Sequence, residues 1–174
     1  FHAVALHSFA DELAHAATRD PLEFLLDLLG PGKVIDLKAQ GVDYTNYGAP
    51  IDKYPVDSRR LRRVLEVAGE RSNWGKRKPG NGWGIGIAAH RSFNSYVASV
   101  VEVEVDRQGR LKIPRIDMVA EGHLEHDEIG VAKELVEARE SRVEPRFDSR
   151  GDARAIVVQH AHVEPARALR RPAV

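Results

Sequence analysis

The chain has 174 residues, of which 43% are hydrophobic and 30% are charged, a composition that suits one globular domain or two small ones. Lysines and arginines match aspartates and glutamates at 26 each, and the resulting zero net charge argues against a nucleic-acid partner. The chain has no cysteine, which excludes disulfides and cysteine-ligated metal or iron–sulfur sites, and no apolar run approaches the ~20 residues of a membrane span.

Three helices are predicted in the first half of the chain. Helical spacing over 2–17 gives an apolar face made of Val4, Leu6, Phe9, Leu13, Ala16 and Ala17. Asp20 and Pro21 suit the start of a second helix over 21–29, so the two helices form a hairpin. A loop with three tyrosines follows, and a third helix is predicted over 59–71.

Strands are predicted from Trp83 onwards, where the apolar pattern changes to a period of two. We expect a β-hairpin over 85–119 that turns at Asp106–Arg110, with an edge or bulge at Pro114. Beyond it the pattern predicts a charged helix over 127–140, irregular chain over 142–152 and a strand over 155–163. The expected fold class is α+β, with the helical hairpin and third helix packed on an antiparallel β-hairpin or sheet.

One face of the long predicted strand is acidic. Glu102 and Glu104 share that face and lie opposite Val101, Val103 and Val105. This alternation is typical of a half-exposed strand, with the valines in the core and the carboxylates in solvent.

Two clusters of residues suggest chemistry without specifying it. The four glycines at 80, 82, 84 and 86 precede a strand rather than a helix, so they do not form a dinucleotide-binding fingerprint. His160 and His162 share one face of a predicted strand and could bind a metal, with His123, Glu125 and His126 as further ligand types. A metal-dependent hydrolase that uses these histidines is therefore one hypothesis for the function of the chain.

Several segments carry a pattern found together in one family. They are FHAVA at 1–5, SFADELA at 8–14, DPLEF at 20–24, LRRVL at 61–65, WGK at 74–76, GIGIAAHRSFNSYVA at 84–98 and VEVEVD at 101–106. In this order they resemble the molybdopterin-binding large subunits of the xanthine dehydrogenase/aldehyde oxidase superfamily, more narrowly the isoquinoline 1-oxidoreductase β-subunit type. We expect 1–119 to be a fragment of the molybdopterin-binding region and 120–174 to be a divergent, truncated C-terminal part.

The resemblance implies a chain that helps to hold molybdopterin cytosine dinucleotide. Enzymes of this family hydroxylate aldehydes or N-heterocycles with water as the oxygen source. The implied partners are the remainder of the large subunit and a separate iron–sulfur subunit. The candidate cofactor-binding residues, which match the segment against the molybdenum site, are Ser95, Tyr96, Val97, Ala98 and Ser99. Their backbone N–H groups are expected to face the cofactor, and a core strand is the alternative for the same residues.

The sequence also departs from the family. The catalytic glutamate belongs to a Gly-Gly-x-Gly-Glu motif that is absent, so no catalytic residue is assigned and we expect neither activity nor retained cofactor in the chain alone. Exposed apolar surface is expected around Tyr96 and Val97, where the remainder of the subunit would pack. The alternative is a cofactor-free binding or scaffold protein derived from the same fold. The expected location is the cytoplasm, or the periplasm for a chain exported with a partner.

Overall fold

A computed structural model of the chain describes residues 2–76, 80, 82–123, 142–147 and 153–161. The elements in chain order are α1 (His2–Ala16), α2 (Pro21–Leu29), a short 3-10 turn (Asn46–Gly48), α3 (Ser58–Ser72), β1 (Trp83–Ser92), β2 (Ser95–Val105), β3 (Leu111–His123), β4 (Arg142–Phe147) and β5 (Ala153–Ala161). The strands form one antiparallel sheet in the order β1-β2-β3-β5-β4. The predicted α+β class is confirmed.

Local capping explains why the predicted helix boundaries hold to within a residue or two. The Asp20 carboxylate accepts a hydrogen bond from the Glu23 backbone N–H at 3.0 Å, and Pro21 begins α2. The Asp57 carboxylate accepts from the Arg59 backbone N–H at 2.9 Å at the start of α3. Asn73 ends α3 in the left-handed conformation.

The expectation that the apolar face of α1 packs in the core is wrong. Its large members Val4, Leu6, Phe9 and Leu13 are all exposed, whereas the small residues Ala10 and Ala14 are buried. Small side chains let the helix backbone come close to α2 and β1, and that close approach turns the larger residues outward.

The predicted β-hairpin over 85–119 contains three strands. β2 and β3 turn at Asp106–Arg110 as expected, and a second, two-residue turn at Phe93 and Asn94 joins β1 to β2. Both residues of that turn have positive φ, which matches the right-handed twist of the strands. A register shift opposite Pro114 confirms the predicted bulge.

The sequence-based predictions for the C-terminal part of the chain agree with the structure only in places. The stretch 142–152, expected to be irregular, contains β4, so that prediction is wrong for 142–147. β5 confirms a strand near 155–163, of which 162–163 lie outside the described residues. The predicted helix over 127–140 also lies outside them.

The core lies between α3 and one face of the sheet. Four α3 residues pack against alternate residues of β1, β2 and β3; the buried cluster comprises Val64, Leu65, Val67, Ala68, Ala89, Tyr96, Ala98, Val100 and Val119. Leucines of α2 pack on its margin. The sheet therefore has a helix-facing side, and the buried residues that the structure describes on β1, β2 and β3 all belong to that side.

Candidate functional site

The candidate segment Ser95–Ser99 forms the first half of β2, at the centre of the β1–β3 part of the sheet. Because side chains alternate along a strand, the five residues divide between two faces. Tyr96 and Ala98 face α3 and are buried, whereas Ser95, Val97 and Ser99 lie on the other face and are half-buried. The five candidate residues therefore do not form one surface.

Tyr96 is a core residue, and the expectation of exposed surface around it is wrong. Its side chain is 1% exposed, and its hydroxyl accepts a hydrogen bond from the Asp57 backbone N–H at 2.7 Å. The Arg60 guanidinium lies 4.4 Å from the centroid of the Tyr96 ring, and the Arg91 guanidinium lies 5.8 Å from the same centroid. A buried tyrosine is stable when its hydroxyl has a partner, and the loop before α3 supplies that partner.

The backbone of the segment is committed to the sheet. β2 pairs with β1 over Ser92↔Ser95 to Ala88↔Ser99 and with β3 over Tyr96↔Glu121 to Ser99↔Met118. Successive N–H groups in such a strand alternate between its two neighbours, so they are not available to a bound group. Only the hydroxyls of Ser95 and Ser99 remain, and this donor set does not fit the cofactor-holding role that the resemblance implies.

The side of the sheet opposite α3, here called the open face, carries small and apolar side chains. By strand alternation and register it includes Gly84, Gly86, Ala88, His90, Ser95, Val97, Ser99, Val101, Val103, Ile116, Met118, Ala120 and Gly122. A Cβ built on Gly86 would meet no atom of the described residues within 4 Å. None of the buried residues in the described part of the chain belongs to this face.

Charged residues occupy the buried side instead, which reverses the expected polarity of β2. Glu102 is 2% exposed and lies on the face of Tyr96 and Val100, while Val101 and Val103 lie on the open face. The prediction that Glu102 is solvated is therefore wrong. The physical reason is the neighbouring strand, because Arg115 of β3 is the register partner of Glu102 and gives the buried carboxylate a cation nearby.

Two ion pairs lie on this buried side and were not predicted. Arg60 of α3 donates to Glu121 of β3 at 2.9 Å, and both side chains are less than 10% exposed. Arg115 and Asp117 of β3 pair at 2.8 Å. Four arginines of α3 lie close together in sequence, at 59, 60, 62 and 63, and no signal within the helix marks Arg60 as the buried one. The Arg60–Glu121 pair joins α3 to the sheet, whereas the Arg115–Asp117 pair lies within β3, and neither pair offers an exposed reactive group.

Among the described residues that border the core, Asp57 is the acid whose pKa departs clearly from its ordinary value. Burial opposes its ionisation, but hydrogen bonds from the Arg59 side chain and backbone, together with the charges of Arg59 and Arg60, hold its pKa below the usual range. The carboxylate serves as the N-cap of α3. Its oxygens therefore accept hydrogen bonds that hold the start of α3, which is a structural role rather than that of a general base.

A shallow pocket lies in the tyrosine-containing loop before α3. Its volume is about 390 Å³, and its lining consists of Leu37, Lys38, Gly41, Val42, Asp43, Tyr44 and Ile51. None of the candidate cofactor residues takes part in it, so it is separate from the segment that the resemblance singles out.

The suggested histidine metal site finds no support among the described residues. His160 is the register partner of Asp117 on β5, while His162, Glu125 and His126 lie outside the described part of the chain. Within the described residues, no group of three histidines or acids is close enough to hold a metal ion.

Comparisons with known protein families and with curated proteins find no match to this chain. Among the described helices, none has the length and apolar character required to cross a membrane.

Proposed function

We propose that the chain is a structural, non-catalytic part of a molybdenum hydroxylase large subunit. In this proposal the open face packs against the remainder of that subunit, which belongs to an enzyme that hydroxylates an aldehyde or N-heterocycle and passes electrons to an iron–sulfur subunit. The single observation that carries the proposal is the polarity of β2, which turns Val97, Val101 and Val103 away from the described helices and onto the opposite face of the sheet.

The composition of the open face suits contact with protein. Apolar side chains of two adjacent strands, Val101 of β2 and Ile116 and Met118 of β3, lie side by side, and between Ser95–Val103 and Ile116–Gly122 these strands place no charged residue on that face. Continuous apolar surface of this kind marks an interaction site in soluble proteins. Full burial of an exposed valine contributes about 1.5–3 kcal/mol, and each of these half-buried valines would gain a part of that when a partner covers it.

The same face could not hold a dinucleotide cofactor by itself. The Ser95 and Ser99 hydroxyls are its polar groups within the candidate segment, and a neutral hydrogen bond contributes about 1 kcal/mol net. Association costs at least 4 kcal/mol before contacts appear as affinity. The cofactor in this proposal is held by the remainder of the subunit, and this chain provides at most one wall beside it.

Co-expression tests the proposal directly. The tagged chain would be co-expressed with the remainder of the large subunit as a separate chain and with a neighbouring iron–sulfur subunit. The amount of the remainder that co-purifies with the tagged chain would be measured. Val101→Asp should abolish co-purification because it places a charge within the apolar contact. Glu70→Lys, on the exposed side of α3, is the matched control and should leave it unchanged. Equal co-purification of both variants would contradict the proposal.

A second candidate function is a cofactor-free scaffold protein with the same fold. The burial of Tyr96 and the commitment of the Ser95–Ser99 backbone to the sheet favour it, because both leave the candidate segment without a cofactor-facing role. The molybdenum content of the co-expressed complex separates the two candidates, since a scaffold would bind its partner without molybdenum.

A further inference from the structure

The two outer strands of the sheet differ in their side chains. β1 lies at one edge and β4 at the other. β4 carries a proline and three charged residues: Arg142, Glu144, Pro145 and Arg146. Charges and prolines are the usual means by which proteins keep an edge strand from pairing with another chain. From Trp83 to Ala89, β1 has neither, so its edge lacks the protection that the β4 edge has.

The turn between β1 and β2 determines which backbone groups of β1 face outward. Its two-residue loop makes the residues on either side a hydrogen-bonded pair. Even-numbered residues of β1 therefore bond to β2, and odd-numbered residues point their N–H and C=O groups away from it. Contacts at both ends agree with this assignment. The Trp83 N–H donates to the Gly80 C=O at 3.0 Å, and the His7 ring Nε2 lies within hydrogen-bonding distance of the N–H and C=O of Ala89.

Between these two occupied ends, Ile85 and Ile87 present a row of outward backbone groups. No described residue bonds to the outward N–H or C=O of either one. Their side chains pack at the margin of the core, while Gly84 and Gly86 lie on the open face. A strand that approached this edge would meet backbone without a large side chain on that face, and its own N–H and C=O groups would complete the hydrogen bonds.

The outward row is symmetric about Ile85, which fits it to a second copy of the chain. In an antiparallel pair with its two-fold axis at Ile85, the two Ile85 residues would exchange both hydrogen bonds. Each Ile87 N–H would donate to the Trp83 C=O of the other chain. Gly84 would lie opposite Gly86, so neither a bulky nor a charged side chain would separate the two backbones on the open face.

We propose that the chain self-associates through the β1 edge, Trp83–Ile87, which pairs antiparallel with the same edge of a second copy. Zero net charge leaves no long-range repulsion between copies, and the uncharged edge adds none at short range. The pairing ends before Ala89, whose outward groups contact His7. A pair held by few backbone hydrogen bonds has a small contact area, so association should be weak and reversible. The inference does not depend on the proposed function.

The mass of the chain in solution, measured by light scattering or sedimentation, tests the proposal. It should rise from that of a monomer towards that of a dimer between about 10 μM and about 1 mM. Ile85→Pro removes the outward N–H and leaves the ladder to β2 intact, and it should raise the dimer Kd about tenfold or more. Ile85→Val, which keeps the N–H, is the matched control and should associate as the parent chain does. A monomer at every concentration, or equal association of the Ile85→Pro and Ile85→Val chains, would overturn the proposal.

Amide hydrogen exchange in the unchanged chain gives a second measurement that needs no substitution. The amides of Ile85 and Ile87 should exchange about threefold more slowly, or slower still, at about 1 mM than at about 10 μM. The amides of Gly84 and Gly86, which face β2, are the internal control and should exchange equally at both concentrations. Exchange at Ile85 and Ile87 that does not change with concentration would show that this edge does not pair with a second copy.

Discussion

The Tyr96 hydroxyl accepts a hydrogen bond from the Asp57 backbone N–H at 2.7 Å, across 39 residues of sequence. This contact joins the centre of the sheet to the residue that caps α3. The contact explains why a tyrosine in the segment that the resemblance assigns to the cofactor is a core residue. It also means that the start of α3 is held in place by one hydroxyl group of β2.

Removal of that hydroxyl should destabilise the protein without changing its fold. Tyr96→Phe leaves the buried Asp57 N–H without its partner, and we expect the free energy of unfolding to fall by about 1–3 kcal/mol. Urea denaturation followed by circular dichroism would measure the change. Tyr47→Phe is the control, because Tyr47 is exposed and should tolerate the loss. Equal effects of the two substitutions would rule out a structural role for the Tyr96 hydroxyl.

The buried pair of Arg60 and Glu121 should show strong coupling. Glu121→Leu alone leaves the Arg60 guanidinium buried against the Tyr96 ring without its carboxylate, and we expect a loss of about 3–5 kcal/mol. The double variant Arg60→Met/Glu121→Leu should recover most of that loss, because an apolar pair replaces a buried ionic one. A double-mutant cycle by chemical denaturation measures the coupling, and additive single effects would contradict it.

Acid should weaken the protein partly through Asp57. Its pKa is lowered in the folded state, so the unfolded chain binds the proton more readily as the pH falls. The contribution is fully present above the ordinary aspartate pKa of about 4 and is lost as the pH falls through the lower folded value. Asp57→Asn should therefore flatten the stability curve below about pH 4. An unchanged curve for Asp57→Asn would refute the assignment.

The contact between α1 and the sheet edge should depend on His7. Its ring Nε2 lies within hydrogen-bonding distance of both the N–H and the C=O of Ala89, which point outward from β1. His7→Ala should speed amide hydrogen exchange at Ala89 and loosen α1, which buries only Ala10 and Ala14. His2→Ala, at an exposed position of the same helix, should change neither. Unaltered exchange at Ala89 would show that the edge is protected by other means.

Local signals predicted the helices well, whereas long-range contacts decided which faces are buried. Asp20 and Asp57 cap their helices through hydrogen bonds that span two or three residues, so the local sequence was enough to predict where these helices begin. The register partner of buried Glu102 is Arg115 of the neighbouring strand, and the partner of the inward-pointing Arg60 is Glu121, 61 residues away. No pattern within one element could have shown either.

The missed strand β4 has a similar explanation. Its sequence contains Pro145 and no regular apolar alternation, which argues against a central strand. The sheet places β4 at its outer edge, where a proline is tolerated because one side of the strand needs no partner. The division of Ser95–Ser99 between two faces, by contrast, follows from strand alternation, and that part of the site could have been predicted.

We propose that this chain contributes an apolar docking face and does not hold the cofactor itself. The most direct test is the molybdenum content of the chain purified alone, compared with its complex with the remainder of the large subunit, from the same cofactor-producing host. We predict far less than about one molybdenum per isolated chain and about one per complex. About one molybdenum per isolated chain, or a stable complex without molybdenum, would contradict the account.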